Sequence, residues 1–223
     1  MRWMYRRFWL PVYRWWALRF IREERVFRYG RLHLEVPPGV FHPGIFFSTP
    51  IFLNFLQNID FQNKKTLDVG TGSGALALFA AQKGADVTAL DINPLAVQTA
   101  RRNAEALGLH LSLLHSDLLE ALPFQTFDFV LINPPYYPKK PENAAEHAFF
   151  AGENLSYFEK LFCQLPPFLL PESNGWMILS EDCDLPTIQE MADRYGFWFF
   201  NVLEQKKWGE RFGIWAFGLR PTQ

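Results

Sequence analysis

A chain of 223 residues that is 49% hydrophobic and 17% aromatic can bury one α/β-sized core, with little left over for a second. Its two cysteines, Cys163 and Cys183, match neither a disulfide framework nor metal-ligand spacing, which argues against a disulfide scaffold and metal catalysis and predicts a reducing, cytoplasmic setting. The net charge of −1 conceals an asymmetry, because residues 1–31 hold nine Arg against Glu23 and Glu24, a net of +7.

In this first segment Trp3, Trp9, Trp15 and Trp16 are interleaved with Arg2, Arg6, Arg7, Arg14 and Arg19. No Arg-free run reaches the ~18 residues of a membrane span or forms the apolar middle of a signal peptide, so the segment is expected to stay in the mature protein. Three readings stand side by side: contact with nucleic acid, contact with a membrane surface, and packing of an aromatic helix on its own domain, the last taken first. Pro11 breaks or bends any helix here, which predicts two short helices. The expected organisation is therefore a helical appendage over residues 1–29 and one domain over 30–223.

Next, Leu32-His33-Leu34-Glu35-Val36 alternates as a strand does, before the turn Pro37-Pro38-Gly39, and fits a short hairpin or edge strand. An apolar helix is expected through about Leu56, with Ser48 or Thr49 as N-cap and Pro50 at its first position.

From Lys65 onward strands and helices alternate, the pattern of a parallel sheet covered on both faces. Strands are expected at Thr66–Gly70, Asp86–Asp91, His110–Asp117, Phe127–Asn133 and Gly175–Glu181. Helices are expected at Ala75–Gln82, Pro94–Leu107, Leu155–Leu165 and Leu185–Tyr195. Two last strands, near Phe197–Glu204 and Gly213–Leu219, are joined by a short turn and predict an antiparallel pair at the sheet edge. The fold class is Rossmann-like α/β, with a seven-stranded, mostly parallel sheet.

Ligands in such sheets sit at the carboxyl ends of the strands, where Asp68-Val69-Gly70-Thr71-Gly72-Ser73-Gly74, Asp91, Asp117 and Asn133 all fall. The three glycines permit a tight turn and close approach of a ligand, while Asp91 can accept both hydroxyls of a ribose. Asp68, two residues before the first glycine, would repel a pyrophosphate and instead suits an ammonium group or ordered water. The cofactor implied carries no phosphate.

These residues resemble the class I S-adenosylmethionine-dependent methyltransferases, and the resemblance covers most of residues 30–223. It implies that Asp68, Gly70, Thr71, Gly72 and Gly74 wrap the methionine part of S-adenosyl-L-methionine. Asp91 would bind its ribose, Asp117 would face adenine, and Ile92 and Leu118 would flank that ring.

Asn133-Pro134-Pro135-Tyr136 supplies the chemistry. An aromatic or amide NH2 is a poor nucleophile because its lone pair is delocalised. The Asn133 side-chain oxygen and the Pro134 carbonyl, both acceptors, can take its two N–H bonds and favour a pyramidal nitrogen. Tyr136 can stack on the planar group, and Pro134 and Pro135 keep the turn rigid. The motif resembles the amino-methyltransferase signature, in the small methyltransferase group related to the glutamine and RNA or DNA enzymes. The acceptor is expected to be a nucleobase amine in RNA, with the glutamine side-chain amide of a protein as the alternative. A domain that binds cofactor without transfer, or that sits on a membrane, remains as a further class. The Pro138–Glu153 loop, with Lys139, Lys140, Glu142, Glu146 and His147, is expected to cover the site.

Overall fold

The computed structural model describes residues 23–221 except 46, 143–145 and 208. The expected pair of helices around Pro11 lies outside that range. Strand β1 (Arg25–Tyr29) pairs antiparallel with β2 (Leu32–Val36). Residues 25–29 are thus strand and not helix, and the expected boundary at residue 29 falls inside a hairpin. The alternation of β2 explains this, since Leu32, Leu34 and Val36 are buried while His33 and Glu35 are exposed, a two-residue period that suits pairing along one covered face.

Helix α1 (Ser48–Leu56) follows. Neither Ser48 nor Thr49 caps it: the N-cap is Phe47 without a side-chain bond, and both hydroxyl residues are buried at the helix start. The main sheet then assembles from β3 (Lys65–Val69), α2 (Ala75–Gln82), β4 (Asp86–Asp91), α3 (Pro94–Ala106), β5 (Ser112–His115), β6 (Phe127–Ile132), α4 (Ser156–Gln164), β7 (Leu169–Ser180), α5 (Leu185–Arg194), β8 (Phe197–Lys207) and β9 (Glu210–Leu219). The strand order is β5-β4-β3-β6-β7-β9-β8. Strands β3 to β7 run parallel, whereas β9 is antiparallel to both β7 and β8.

Two apolar layers cover the two faces. One joins the β1–β2 hairpin to α1, α2 and α3 through residues such as Leu34, Phe52 and Leu78. The other packs α4 and α5 through Phe158, Phe162 and Ile188. Phenylalanine dominates the interior: Phe52, Phe61, Phe127, Phe158, Phe162, Phe197 and Phe217 are essentially inaccessible, and each such burial contributes about 2–3 kcal/mol. This packing fixes the carboxyl ends of β3, β4, β5 and β6 side by side. The order also reverses between β3 and β6, since chain-successive strands spread from β3 toward one edge and from β6 toward the other. Such a reversal opens a crevice for a ligand.

Candidate active site

The cofactor loop is built around two carboxylates. Asp68, the next-to-last residue of β3, is buried; its Oδ2 accepts from Thr71 Oγ1 at 2.7 Å and from the Ala77 N–H at 3.1 Å, so it closes the loop and tethers the start of α2. Its Oδ1 is buried without a partner among the described residues. Burial pushes the Asp68 carboxyl up to about 7, against the bonds from Thr71 and Ala77, and the charge of Asp91 adds to the rise.

Asp91, at the end of β4, accepts from the Gly72 N–H at 2.8 Å with one oxygen and from the Asn93 N–H at 2.8 Å with the other. Each oxygen keeps a second lone pair. Burial raises its pKa, while Asn93, Gly72, His147 and His115 pull it back. The N–H groups of Gly70 and Thr71 both reach Leu90 O, at 2.9 and 3.0 Å, which pins the loop to the end of β4. At Gly70 (φ +76°) a Cβ would meet nothing within 4 Å, whereas at Gly74 (φ +89°) it would meet Leu78 Cδ1 at 3.0 Å and Ala100 Cβ at 3.2 Å. The first glycine borders open space, and the last lets helix α2 approach α3.

Ile92 and Leu118 come to the same strand ends. The Ile92 carbonyl is bound by His115 Nε2 at 2.9 Å. Leu118 is buried at φ +52°, a left-handed conformation that costs a non-glycine residue of order 1 kcal/mol and is retained where the surroundings over-determine it. Asp117 is half exposed and engaged by Lys160 Nζ at 2.6 Å, which also holds Glu120 at 2.7 Å.

The second half of the site lies at the end of β6. Asn133 Nδ2 donates to Thr49 Oγ1 at 3.3 Å, and Asn133 Oδ1 accepts from the Tyr136 hydroxyl at 3.1 Å. The carboxamide is thereby held at both ends. Pro134 and Pro135 are buried and Tyr136 is half-buried. Burial holds the Tyr136 phenol well above its usual pKa of 10, with the neighbouring Ser48 hydroxyl opposing the rise, so the phenol stays a neutral donor across the physiological range.

The loop after the turn folds back on it. The N–H groups of Tyr136 and Tyr137 both donate to Phe149 O, at 3.1 and 3.0 Å, and the Ala151 N–H donates to Tyr137 O at 2.8 Å. The Phe149 ring stands 6.1 Å from that of Phe41, whose Cβ borders Gly72. The same loop brings half-buried His147 into the field of Asp91. Lys139 lies over the Phe150 ring at 4.7 Å and pairs with Glu142 at 3.6 Å.

Three residues join the site that pattern reading did not assign to it. Thr49 is 84 positions from its partner Asn133, and Ser48 lies beside Tyr136. Tyr157, in the first turn of α4, lies in the combined field of Asp91, Asp68 and Asp117. Gly152, Asn154 and Leu155 all have positive φ immediately before it. That run of left-handed residues is the one local signal, and it shows only in the backbone. We expect Thr49→Val to lower kcat about tenfold, through loss of one hydrogen bond and of carboxamide orientation. Cofactor affinity should stay unchanged, and Thr49→Ser should restore the rate; steady-state kinetics with calorimetry checks this.

The donor set fits S-adenosylmethionine. The unpartnered Asp68 oxygen suits its ammonium group, the spare lone pairs of Asp91 suit the ribose hydroxyls, and the open side of Gly70 leaves room for the ligand. Without the cofactor, Asp68 should make stability depend on pH. Its folded-state pKa, about 7, exceeds the ordinary 3.8, so the folded state binds more protons between those values and stability falls as pH rises through them. The melting temperature of the ligand-free protein should decline from pH 5 to 7, and Asp68→Asn should flatten that slope.

Among the described residues no three His, Cys, Asp or Glu side chains are grouped to hold a metal, and no helix is long and apolar enough to cross a membrane. Cys163 is exposed and Cys183 buried, both as free thiols.

The fold and the sequence have counterparts among known proteins. A putative protein N5-glutamine methyltransferase of Methanocaldococcus jannaschii is 33% identical over 135 residues, covering 57% of this chain and 68% of that protein. A tRNA1(Val) (adenine(37)-N6)-methyltransferase of Shewanella loihica is 35% identical over 128 residues, 53% of each chain. The 16S rRNA N2 G1207 methyltransferase of T. thermophilus, solved with AdoMet and guanosine, superposes with a TM-score of 0.65 at 21% identity, over 89% of this chain and 50% of that one, a likeness of fold. The family model for the methyltransferase small domain matches residues 31–156, a span that holds the cofactor loop, Asp91 and the Asn-Pro-Pro-Tyr turn. The chain belongs to the methyltransferase small domain family and is an S-adenosylmethionine-dependent methyltransferase.

Proposed function

We propose that this protein methylates a planar NH2 group, and that the group is the exocyclic amine of a nucleobase in RNA. The observation that carries the reading is the Asn133 carboxamide, held by Thr49 on one side and Tyr136 on the other, at the end of a strand adjacent to the one that bears Asp68.

Bound S-adenosylmethionine supplies a methyl group on a cationic sulfur. Asp91 would take the ribose hydroxyls and Asp68 the ammonium, whose positive charge favours the ionised form of Asp68. Ile92 and Leu118 form the apolar flank of the adenine site, and Asp117 stands at its rim. On the acceptor side, the second lone pair of Asn133 Oδ1 and the Pro134 carbonyl accept the two N–H bonds of the substrate amine. These contacts draw the nitrogen toward pyramidal geometry and aim its lone pair. The Tyr136 ring lines the planar group, and its hydroxyl keeps Asn133 Oδ1 turned inward. No strong general base is required, since the transferred methyl makes the amine proton acidic.

RNA is favoured by the Arg- and Trp-rich residues 1–31, by Lys139 and Lys140 beside the turn, and by the similarity to the tRNA adenine enzyme. Basic side chains near a nucleobase site neutralise phosphates and provide much of the affinity. A glutamine amide in a protein is the second reading, favoured by the Methanocaldococcus jannaschii relative, of which the matched region covers 68%. The same proposal takes the enzyme to work in the cytoplasm.

The test is transfer of tritiated methyl from S-adenosylmethionine into a cell extract separated into RNA, DNA and protein. Label in RNA supports the reading, and label in protein replaces it with the glutamine reading. Label in none of the three, with cofactor binding intact, points to a small-molecule acceptor or a non-catalytic domain. Flotation with anionic liposomes, with and without residues 1–29, separates a membrane role for that segment from an RNA role.

A further inference from the structure

The loop between β3 and α2 is rich in glycine, and glycine by itself does not hold a loop in one shape. Ser73 sits between Gly72 (φ +56°) and Gly74 (φ +89°), residues that lose much backbone freedom when they are fixed. Within the site, Thr71 Oγ1 donates to Asp68, the Gly72 N–H to Asp91 and the Gly74 N–H to Thr71 O at 2.9 Å. A further bond comes from outside it: Ser73 O accepts from Asn103 Nδ2 at 2.9 Å.

Asn103 lies in the last turn of α3 and is only 2% exposed. A carboxamide has one carbonyl oxygen and two N–H donors, and here each of them is bonded. Oδ1 accepts from the Glu35 N–H at 2.9 Å, while Nδ2 donates to Glu35 O at 3.0 Å as well as to Ser73 O. Both Glu35 backbone groups lie on the edge of β2 that faces away from β1, so the side chain pairs with β2 as a third strand would. Asparagine is a weak helix former, and its place on α3 is explained by these bonds and not by helix propensity. The β1–β2 hairpin takes no part in the main sheet, yet it reaches the site by a second route. Asn93 Nδ2 donates to Gly39 O at 2.9 Å, in the turn after β2, and the Asn93 N–H donates to Asp91.

We propose that Asn103 is a positioning residue for cofactor binding, which holds the Ser73 carbonyl, and with it the arc from Gly72 to Gly74, in the cofactor-binding shape, using the β1–β2 hairpin as its support. This rests on the reading of residues 68–74 as the loop around the methionine part of the cofactor. A loop already in its bound shape loses less freedom when the ligand arrives, and affinity rises by that difference. The effect falls on the methionine end, because Asp91, on the ribose side, keeps the Asn93 N–H at 2.8 Å whatever happens at Ser73. The hairpin thereby acts on the cofactor without touching it.

The test uses the full-length protein. In the ligand-free state, Asn103→Ala should speed amide hydrogen exchange about tenfold at Gly72 and Gly74, as local opening of the loop requires. Exchange at Gly70 and Thr71, whose N–H groups are bonded to Leu90 O, should not change. Equal acceleration at all of these amides, the mark of a fold that has merely lost stability, overturns the proposal, and so does no acceleration. By calorimetry, Asn103→Ala should weaken S-adenosylhomocysteine about tenfold, the equivalent of one hydrogen bond, and 5′-methylthioadenosine, which lacks the amino-acid part, by less than about threefold. Equal loss for both ligands, or loss for neither, also overturns it. Asn103→Asp keeps the volume and the bond from the Glu35 N–H but has neither donor. It should reproduce the split between the ligands with a smaller fall in melting temperature, and it carries the test if the alanine variant does not fold. If S-adenosylhomocysteine leaves the wild-type amide resonances of Gly70, Gly72 and Gly74 unmoved, the reading of this loop falls, and exchange in the ligand-free protein still decides whether Asn103 holds it.

Discussion

Asn133→Ala is expected to lower the rate of methyl transfer by about 10²–10³-fold, the usual cost of removing one preorganised hydrogen-bonding group from the reacting centre. The side chain is held at both ends, its Nδ2 on Thr49 and its Oδ1 under the Tyr136 hydroxyl, so truncation removes the acceptor for the substrate amine and also frees Tyr136. Cofactor affinity should change by less than about threefold, because the contacts proposed for the cofactor belong to β3, the loop between β3 and α2, the end of β4, and the segments that follow β4 and β5. Single-turnover transfer combined with calorimetric titration of S-adenosylhomocysteine separates the two effects. A variant that keeps its rate would remove Asn133 from the chemistry.

Asp91→Ala should instead act on binding. In the folded protein the carboxylate already receives the N–H groups of Gly72 and Asn93, so its loss takes away the ribose acceptors and loosens the loop that carries Gly70 and Gly72. Two charge-assisted hydrogen bonds at about 1.5 kcal/mol each amount to roughly 3 kcal/mol, or about a hundredfold weaker binding of S-adenosylhomocysteine. At saturating cofactor much of the rate should return. If Asp91→Ala and Asn133→Ala lost cofactor affinity equally, the division of the site into a binding half and a reacting half would be wrong.

Some of this was open to pattern reading. The alternation of apolar runs with amphipathic segments placed every strand of the main sheet within a few residues, because that period is a local property of the chain. The largest difference is at β7, which begins at Leu169 and carries an irregularity where it pairs with β6, near Phe127 and Phe129; the polar stretch Pro171-Glu172-Ser173-Asn174 masked its first half. The N-cap expectation at Ser48 and Thr49 failed for a related reason. Hydroxyl residues before an apolar run are ordinarily caps, but here Thr49 serves Asn133 and Ser48 faces Tyr136.

The sequence by itself determined the Rossmann-like α/β class, the order of strands and helices, and the placing of Asp68, Asp91, Asp117 and Asn133 at strand ends. Those follow from short-range periodicity and from the sharp turns that glycine and proline impose. Only the tertiary structure decided that Thr49 orients Asn133, that Lys160 engages Asp117 and that Tyr157 stands among the three acidic residues. These contacts join residues far apart along the chain. They exist because the packed aromatic core brings separate elements to one end of the sheet, and no local pattern records how elements dock.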